Sequence, residues 1–192
     1  MPPRHPTSTL SPDAPWSQRG FTLIELLVTI AIGTTLMMVA VPSFVDFQRN
    51  SRLSDAVSSF ISAANAARAN AMKQGLNTYL VPLSGSGTDW SSGWMVYADT
   101  NWNQVYDPGV DTLIMSREAP GADVSLVPSA GSSLAASPNS YLLFNGSGYP
   151  RLLNGGFGAG TMVMSNVSPR SSSIIIDASG RLRSCKTGTT GC

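Results

Sequence analysis

The chain has 192 residues, enough for one ordinary domain and a membrane element but too few for two large hydrophobic cores. Charged residues make up 12% and hydrophobic residues 42%, which excludes a disordered chain and is typical of an exported protein with a hydroxyl-rich exterior. The formal net charge is +1, so partner specificity must come from local patches of charge.

The first twenty residues are "MPPRHPTSTLSPDAPWSQRG", and their five prolines exclude a continuous helix. Arg4 and Arg19 precede a long apolar run and predict, by the positive-inside rule, that this segment stays in the cytoplasm. The run is longer than the apolar core of a signal peptide, and no small-residue cleavage site follows it. Composition alone therefore favours an uncleaved membrane anchor.

Glu25 is the only charged residue between Gly20 and Val45. A carboxylate in a membrane span costs about 2.5 to 3.5 kcal/mol at the helix centre and less near an end. As part of a span alone, Glu25 has no partner that would offset this cost. The sequence therefore predicts that the Glu25 carboxylate has a polar or charged partner outside its own membrane span.

Beyond the apolar run, small and apolar residues recur at spacings of three and four and predict one face of an amphipathic helix over 46–75. Gly75 follows Lys73 and is expected to end the helix. We expect this face to cover a sheet, and its members are Leu53, Ala56, Val57, Phe60, Ile61, Ala64, Ala67 and Ala71.

After Gly75 the pattern changes to short β runs separated by glycine, proline, asparagine and serine. Eight runs without an intervening helix predict an α+β fold with an antiparallel sheet or sandwich. The runs are "TYLVPL", "GWMVYA", "DTLIMSRE", "DVSLVP", "SYLLF", "TMVMSNV", "SIIID" and "RLRSC". The stretches "PLSGSGTDWSSG", "PSAGSSLAASPNS" and "NGGFGAG" are expected to be loops.

The stretch "RGFTLIELL" resembles the cleavage and assembly signature of type IV pilins and type II secretion pseudopilins. The resemblance implies that a prepilin peptidase cuts between Gly20 and Phe21, that the Phe21 amino group is methylated, and that Glu25 pairs with a neighbouring subunit during assembly. The expected organisation is a leader at 1–20, a transmembrane and assembly helix at 21–45, an amphipathic helix at 46–75 and a β-rich head at 76–192. The head is expected in the periplasm, on a protein held in the inner membrane until it joins other pilins.

His5, the only histidine, lies within the leader, so the mature chain has no His-based catalytic triad and no His metal site. An enzyme is therefore not expected, and neither is a cofactor. Removal of the leader also takes away Arg4, Arg19 and Asp13, which leaves ten basic and ten acidic residues and a net charge of zero.

A basic cluster near the C-terminus is the most informative local feature of the head. "SIIID" and "RLRSC" read as a β-hairpin with Gly180 in its turn, and strand alternation places Arg181 and Arg183 on one face. They are then about 6 to 7 Å apart, close to the spacing of successive phosphates on one nucleic-acid strand. Neighbouring cations extend the cluster: Arg170, Lys186 and Arg151.

An alternative interpretation is that these arginines form a solvated strand face, or that Asp177 pairs with one of them. The run Gly180-Arg181-Leu182-Arg183 resembles the G-R-x-R motif of the FimT/GspH group. In FimT-type minor pilins that motif implies DNA capture during natural transformation. The alternatives are a GspH-like minor pseudopilin of a type II secretion system, and a minor pilin that acts only in filament assembly.

Cys185 and Cys192 are the only cysteines, and an oxidising compartment predicts a disulfide between them. Free thiols or a bond to a neighbouring chain remain as alternatives. Two sulfurs supply only half of a tetrahedral metal shell, which disfavours a metal site.

"DTNWNQVYDPGVD" resembles the opening of a calcium loop, but Gln104 stands where glycine is expected and the closing glutamate is absent. An Asx-rich turn is the favoured interpretation, with calcium as a weaker possibility. The candidate oxygen donors are Asp99, Asn101, Asn103, Asp107 and Asp111. Trp90, Trp94 and Trp102 are interpreted as core or loop residues, with stacking on nucleic-acid bases as the alternative.

Overall fold

The computed structural model describes residues 20–84, 87–190 and 192. The chain divides into two compact units, one ending at Pro42 and the other covering Ser43–Cys192. Among the described residues, one α-helix and nine β-strands are accompanied by two short 3-10 helices, Trp90–Ser92 and Ser133–Ala135. The helix and strands are α1 Leu23–Gln74, β1 Thr78–Pro82, β2 Gly93–Ala98, β3 Thr112–Glu118, β4 Val124–Pro128, β5 Leu142–Phe144, β6 Pro150–Arg151, β7 Gly160–Asn166, β8 Ser171–Ile176 and β9 Leu182–Lys186.

The helix α1 begins and ends at sequence-encoded caps. At its start, the Thr22 hydroxyl accepts a hydrogen bond from the Glu25 backbone N–H, and the Glu25 carboxylate accepts one from the Thr22 backbone N–H. This reciprocal pair is a capping box, which satisfies two N–H groups that a helix start leaves unpaired. At the other end the Gly75 N–H donates to the Ala71 carbonyl, and Gly75 has φ +69°, as predicted for the stop.

The described part of the first unit is mainly the apolar start of α1. This segment is long and apolar enough to cross a membrane, and none of its most apolar stretch is buried within the chain. The exposed side chains include Leu23, Leu36 and Met38. Side chains of this kind require an apolar solvent or neighbouring helices, as expected for a membrane and assembly segment.

The second unit is built from the rest of α1 and two antiparallel sheets. The five-stranded sheet has the order β3-β2-β1-β5-β6, and the four-stranded sheet has the order β4-β7-β8-β9. All eight predicted strands are present, and only the two-residue β6 lies outside the prediction. The predicted α+β fold, with one long helix and antiparallel sheets, is confirmed.

The predicted face of α1 packs on both sheets. Its buried residues are mostly alanines, whose small side chains let the strands approach closely, and Phe60 is the one aromatic among them. Phe60 makes edge-to-face contacts with Trp90 and Trp94, at centroid distances of 5.6 and 5.4 Å. The same core includes Met162 and Ile174 from the four-stranded sheet, so helix and sheets share one hydrophobic cluster.

Candidate nucleic-acid interface

The strands β8 and β9 form the predicted hairpin, and β9 is an edge strand of the four-stranded sheet. The Asp177 carboxylate holds the turn by accepting hydrogen bonds from the Ser179 hydroxyl at 2.6 Å and from the Arg181 backbone N–H at 3.0 Å. The Gly180 N–H donates to the Asp177 carbonyl, and Gly180 has φ +80°. The turn therefore fixes the backbone immediately before the two arginines.

Arg181 and Arg183 are both exposed, while Leu182 between them packs against the core. Arg183 lies opposite Ile175 in the register, and Leu182 lies opposite the buried Ile176. Strand alternation thus places the two guanidinium groups on the side away from the core.

Arg170 and Lys186 lie at the other end of the hairpin. They line a shallow groove of about 250 Å³ together with Ser171, Ser172, Ser184 and Cys185. Lys186 is three residues along β9 from Arg183, about 10 Å at the rise of a strand. The predicted basic residues thus form two groups, one beside the turn and one at the groove.

None of these four cations has a carboxylate within ion-pairing distance among the described residues. The ion pairs of the described chain lie elsewhere and join Arg49 to Asp46, Arg52 to Asp123, and Arg117 to Asp55. The Asp177 carboxylate accepts a hydrogen bond from the backbone N–H of Arg181, and no ion pair with the Arg181 guanidinium is formed among the described residues. After the hydrogen bonds from Ser179 and Arg181, the positive charge of Arg181 also lowers the pKa of Asp177, so the two side chains interact electrostatically without forming an ion pair.

Arg151, the fifth basic residue of the predicted cluster, has partners within its own loop. Its guanidinium donates to the Gly155 carbonyl and lies 4.7 Å from the centre of the Phe157 ring. Both partners belong to the β6–β7 loop, which folds over Arg151. The cation–π contact and this hydrogen bond engage the Arg151 guanidinium within its own loop, although the preceding Pro150 lies beside Gly180 at the hairpin turn.

Arg68, on α1, is a functional candidate that the sequence did not reveal. Its Nη1 donates to the Gly180 carbonyl at 2.9 Å, across 112 residues of sequence. The one available signal was a cation beside the buried alanine face of the helix. Only the folded structure shows that this cation meets the hairpin turn.

The hydrogen bonds to Asp177 lead to a prediction on its titration. The Ser179 hydroxyl, and then the Arg181 backbone N–H, lower the pKa of Asp177 below its ordinary value of 3.8. Because the folded pKa is depressed, these bonds stabilise the turn above pH 3.8, and this contribution is lost as the pH falls through the folded value. We expect Ser179→Ala to raise the pKa of Asp177, measured by carboxyl ¹³C NMR titration.

Ser184→Ala is the matched control, since Ser184 lies on the same hairpin but does not contact Asp177. This control should leave the titration of Asp177 unchanged. An Asp177 pKa at or above 3.8 in the unaltered chain would contradict the described turn.

Comparison with known proteins identifies the family. Residues 56–180 match the family model described as type II transport protein GspH, which covers more than half of the chain. The chain belongs to the GspH family. Residues 17–41 also match the prokaryotic N-terminal methylation motif. This GspH-family chain is accordingly a member of the minor type IV pilin and pseudopilin group, whose proteins are structural and not enzymatic.

A curated relative and two solved structures are similar to this GspH-family chain. Prepilin peptidase-dependent protein D of Escherichia coli strain K12 is 36% identical over 58 residues, which is 30% of this chain and 40% of the relative's length. The type IV minor pilin FimU of Pseudomonas aeruginosa strain PAO1 matches with a TM-score of 0.51 and 14% identity, over 71% of this chain and 90% of FimU. The minor pseudopilin EpsH of the Vibrio cholerae type 2 secretion system matches with a TM-score of 0.50 and 14% identity, over 72% and 99%. At these identities the structural likeness concerns the fold.

The Cys185–Cys192 disulfide of the GspH-family chain is present, with Cα atoms 5.8 Å apart. It closes the segment that follows β9, and the Cys192 N–H also donates to the Thr189 carbonyl. In the chain-entropy account, closing so short a loop contributes about 2 to 3 kcal/mol. The disulfide therefore ties the C-terminus to the strand that carries Arg183.

The β2–β3 loop uses its carboxylates within itself. Gln104 has φ +69° at the position where a calcium loop has glycine, and the buried Asp99 accepts from its N–H. Asp107 and Asp111 likewise accept hydrogen bonds from loop donors: Asn101, Asn103, Thr100 and the Asp107 N–H. Within the described residues, no group of three or more histidine, cysteine or acidic residues is arranged to hold a metal. These hydrogen bonds within the loop are those of an Asx-rich turn.

The base-stacking alternative is wrong for two of the three tryptophans. Trp90 and Trp94 are buried at 1% and 0% exposure, and the Trp90 indole N–H donates to the Leu134 carbonyl. Trp102 is 59% exposed, but it lies on the β2–β3 loop beside the five-stranded sheet, whereas the hairpin belongs to the four-stranded sheet.

Proposed function

We propose that this GspH-family chain is a minor type IV pilin of FimT type that captures extracellular DNA for uptake in natural transformation. The observation that carries the proposal is the exposed pair Arg181 and Arg183, one strand period apart and in no ion pair of the described residues. From Tyr141 onward the chain has five basic residues against Asp177 alone, a local charge of +4.

The mechanism is contact with the phosphate backbone. Arg181 and Arg183 bind successive phosphates, since their separation of about 6 to 7 Å matches one strand of nucleic acid. Arg170 and Lys186 lie further along, at the groove, and Lys186 has the strand parity of Leu182, so this second group adds positive charge near the backbone without continuing the row of Arg181 and Arg183. Contacts of this kind read little sequence, so binding is non-specific and weakens steeply with salt. Several subunits on one filament would add avidity.

Replacement of both arginines tests the proposal. We expect Arg181→Gln with Arg183→Gln to weaken binding of a labelled duplex by about 10- to 100-fold, because two charge-assisted phosphate contacts are lost. The measurement is fluorescence anisotropy with the full chain in micelles of an uncharged detergent. Arg49→Gln with Lys73→Gln is the control, since it removes the same charge from exposed or half-exposed positions on α1.

The control pair should bind almost as the unaltered chain does. Equal affinities for the hairpin variant and the unaltered chain would remove the DNA-binding assignment from the hairpin. Loss of transformation in cells that carry the hairpin variant, with filaments still assembled, would extend the assignment to uptake.

The same proposal includes the route by which the protein is delivered. A prepilin peptidase cuts after Gly20, Phe21 becomes the methylated N-terminus, and the 21–45 helix holds the protein in the inner membrane with the 76–192 head in the periplasm. The match to the N-terminal methylation motif supports this order of events. Other pilins are then the partners of the apolar helix, whose side chains are exposed in the isolated chain.

Glu25 is proposed to pair with the new N-terminus of a neighbouring subunit. We expect Glu25→Ala to leave membrane insertion intact but to lower incorporation into filaments by at least about tenfold, because a buried charge pair between helices is lost. The measurement is the ratio of the protein in sheared filaments to that in membranes.

Thr22→Ala separates assembly from helix capping. This variant removes the hydroxyl that caps the Glu25 N–H but keeps the carboxylate. We expect it to assemble nearly as the unaltered chain does. Normal incorporation of Glu25→Ala, or an equal defect in both variants, would contradict a charge pair between subunits.

The second candidate function is that of a GspH-like minor pseudopilin of a type II secretion system, or of a minor pilin that acts only in assembly. The family match at residues 56–180 and the likeness to EpsH favour it as much as they favour the first candidate. The family match also ends at Gly180, before Arg181 and Arg183. If the unaltered chain does not bind DNA at low salt, the first candidate function is excluded and the second remains.

A further inference from the structure

The turn of the basic hairpin contacts the middle of α1 through Arg68. The side chain is half-buried, and its Nη1 lies 2.9 Å from the Gly180 carbonyl oxygen. Its Nε is buried and has no hydrogen-bond partner among the described residues. No described carboxylate lies within ion-pairing distance of the guanidinium. The Gly180 carbonyl is thus the one acceptor described for this cation.

The turn is held in a closely fitted site. Gly180 is buried, and a Cβ at this position would lie 2.9 Å from the Gly148 carbonyl oxygen, 3.2 Å from Pro150 and 3.4 Å from Arg68 Cζ. The β5–β6 turn therefore contacts one side of Gly180, and the helix contacts another. A peptide group enclosed in this way has little freedom to reorient.

The hydrogen bond from Arg68 to the Gly180 carbonyl sets the backbone orientation at Arg181. The Gly180 carbonyl belongs to the planar peptide that leads into Arg181, so a donor that fixes this oxygen also fixes the plane. The N–H of the same peptide group is that of Arg181, and it donates a hydrogen bond to the Asp177 carboxylate at 3.0 Å. Arg68 and Asp177 thus hold the two polar atoms of the same peptide group.

We propose that Arg68 is a positioning residue of the basic hairpin, which it holds from α1 so that Arg181 and Arg183 are presented together. The inference rests on the proposed DNA-binding function for its effect on affinity, but its structural effect is independent of DNA. Arg68 acts through the Gly180 carbonyl and does not contact phosphate itself, because its buried Nε and its engaged Nη1 leave it directed at the protein.

Two substitutions of Arg68 test this role. Arg68→Met keeps the length of the side chain but removes the donor, and Arg68→Lys keeps the charge but lacks the planar guanidinium. Arg49→Met is the control, because it removes an equal charge from the same helix at a position about 28 Å along the helix axis from Arg68. The full chain in uncharged detergent is used throughout, and tryptophan fluorescence confirms that each variant is folded.

The first readout is amide hydrogen exchange at Gly180 and Arg181 without DNA. We expect Arg68→Met to accelerate exchange at these amides by about tenfold, since a charge-assisted hydrogen bond to the turn is lost. Arg68→Lys should accelerate it less, and Arg49→Met should leave it unchanged. Unchanged exchange in Arg68→Met, or in Arg68→Lys if the methionine variant does not fold, overturns the proposal.

The second readout is DNA affinity in a double-mutant cycle with the hairpin variant. We expect Arg68→Met alone to weaken binding by about tenfold and to cost nothing further when Arg181 and Arg183 are already glutamine. Additive losses would make Arg68 a direct phosphate contact and overturn its positioning role. If the hairpin variant binds DNA as well as the unaltered chain, the proposed function fails, and hydrogen exchange alone decides the role of Arg68.

Discussion

Replacing Phe60 with alanine is expected to lower the free energy of unfolding of the head by about 3 to 5 kcal/mol, the range measured for a fully buried phenylalanine. Phe60 is 0% exposed and makes edge-to-face contacts with Trp90 and Trp94. Its removal leaves a cavity where α1 meets the sheets, and the neighbouring alanines are too small to refill this cavity. The measurement is urea unfolding followed by tryptophan fluorescence, in micelles.

Phe47→Ala is the matched control for this prediction. Phe47 lies on the same helix but is 69% exposed, so its truncation should change the free energy of unfolding by less than about 0.5 kcal/mol. Similar losses for the two variants would contradict the described packing of α1 on the sheets.

Gly180→Ala is expected to destabilise the hairpin by about 2 to 5 kcal/mol. Alanine in the left-handed region costs about 1 to 2 kcal/mol, and overpacking adds about 1 to 3 kcal/mol. The second contribution arises because a Cβ would lie 2.9 Å from the Gly148 carbonyl oxygen. Displacement of the turn should also weaken DNA binding about tenfold, since the Arg181 backbone moves with it. Urea unfolding and anisotropy titrations measure the two effects.

Gly188→Ala provides the control for backbone conformation. Gly188 has φ +84°, close to the +80° of Gly180, but a Cβ there would have no neighbour within 4 Å. We expect this variant to lose only the conformational contribution and to bind DNA normally. Equal stability and equal affinity of the two variants would show that the site around Gly180 has no role.

The helix and the strands were predictable because their apolar residues recur with the period of an α-helix or occur in short β runs. The helical spacing of Ala56, Phe60, Ala64 and Ala67 predicted the buried face of α1, and those residues are buried. The short β runs likewise predicted eight of the nine strands. The interpretation of Trp90 left core and loop both open, because its burial depends on Phe60 and on the Leu134 carbonyl, which are distant in sequence.

The site was predictable only where it depends on local pattern. Strand alternation predicted that Arg181 and Arg183 share a face away from Leu182, and both are exposed. The contact of Arg151 with Phe157 could not be predicted because it arises from the fold of the β6–β7 loop. Arg68 was missed because its partner lies 112 residues away, a distance at which residue spacing carries no information.

The salt dependence of DNA affinity tests the central claim most directly. The logarithm of the association constant falls with the logarithm of salt concentration, with a slope of about −0.9 for each phosphate neutralised on a duplex. We predict that the slope becomes shallower by about 1.8 in Arg181→Gln with Arg183→Gln, since two phosphate contacts are lost. The Arg49→Gln with Lys73→Gln control should keep the slope of the unaltered chain. A slope that is the same in the unaltered chain and the hairpin variant would contradict phosphate binding by Arg181 and Arg183.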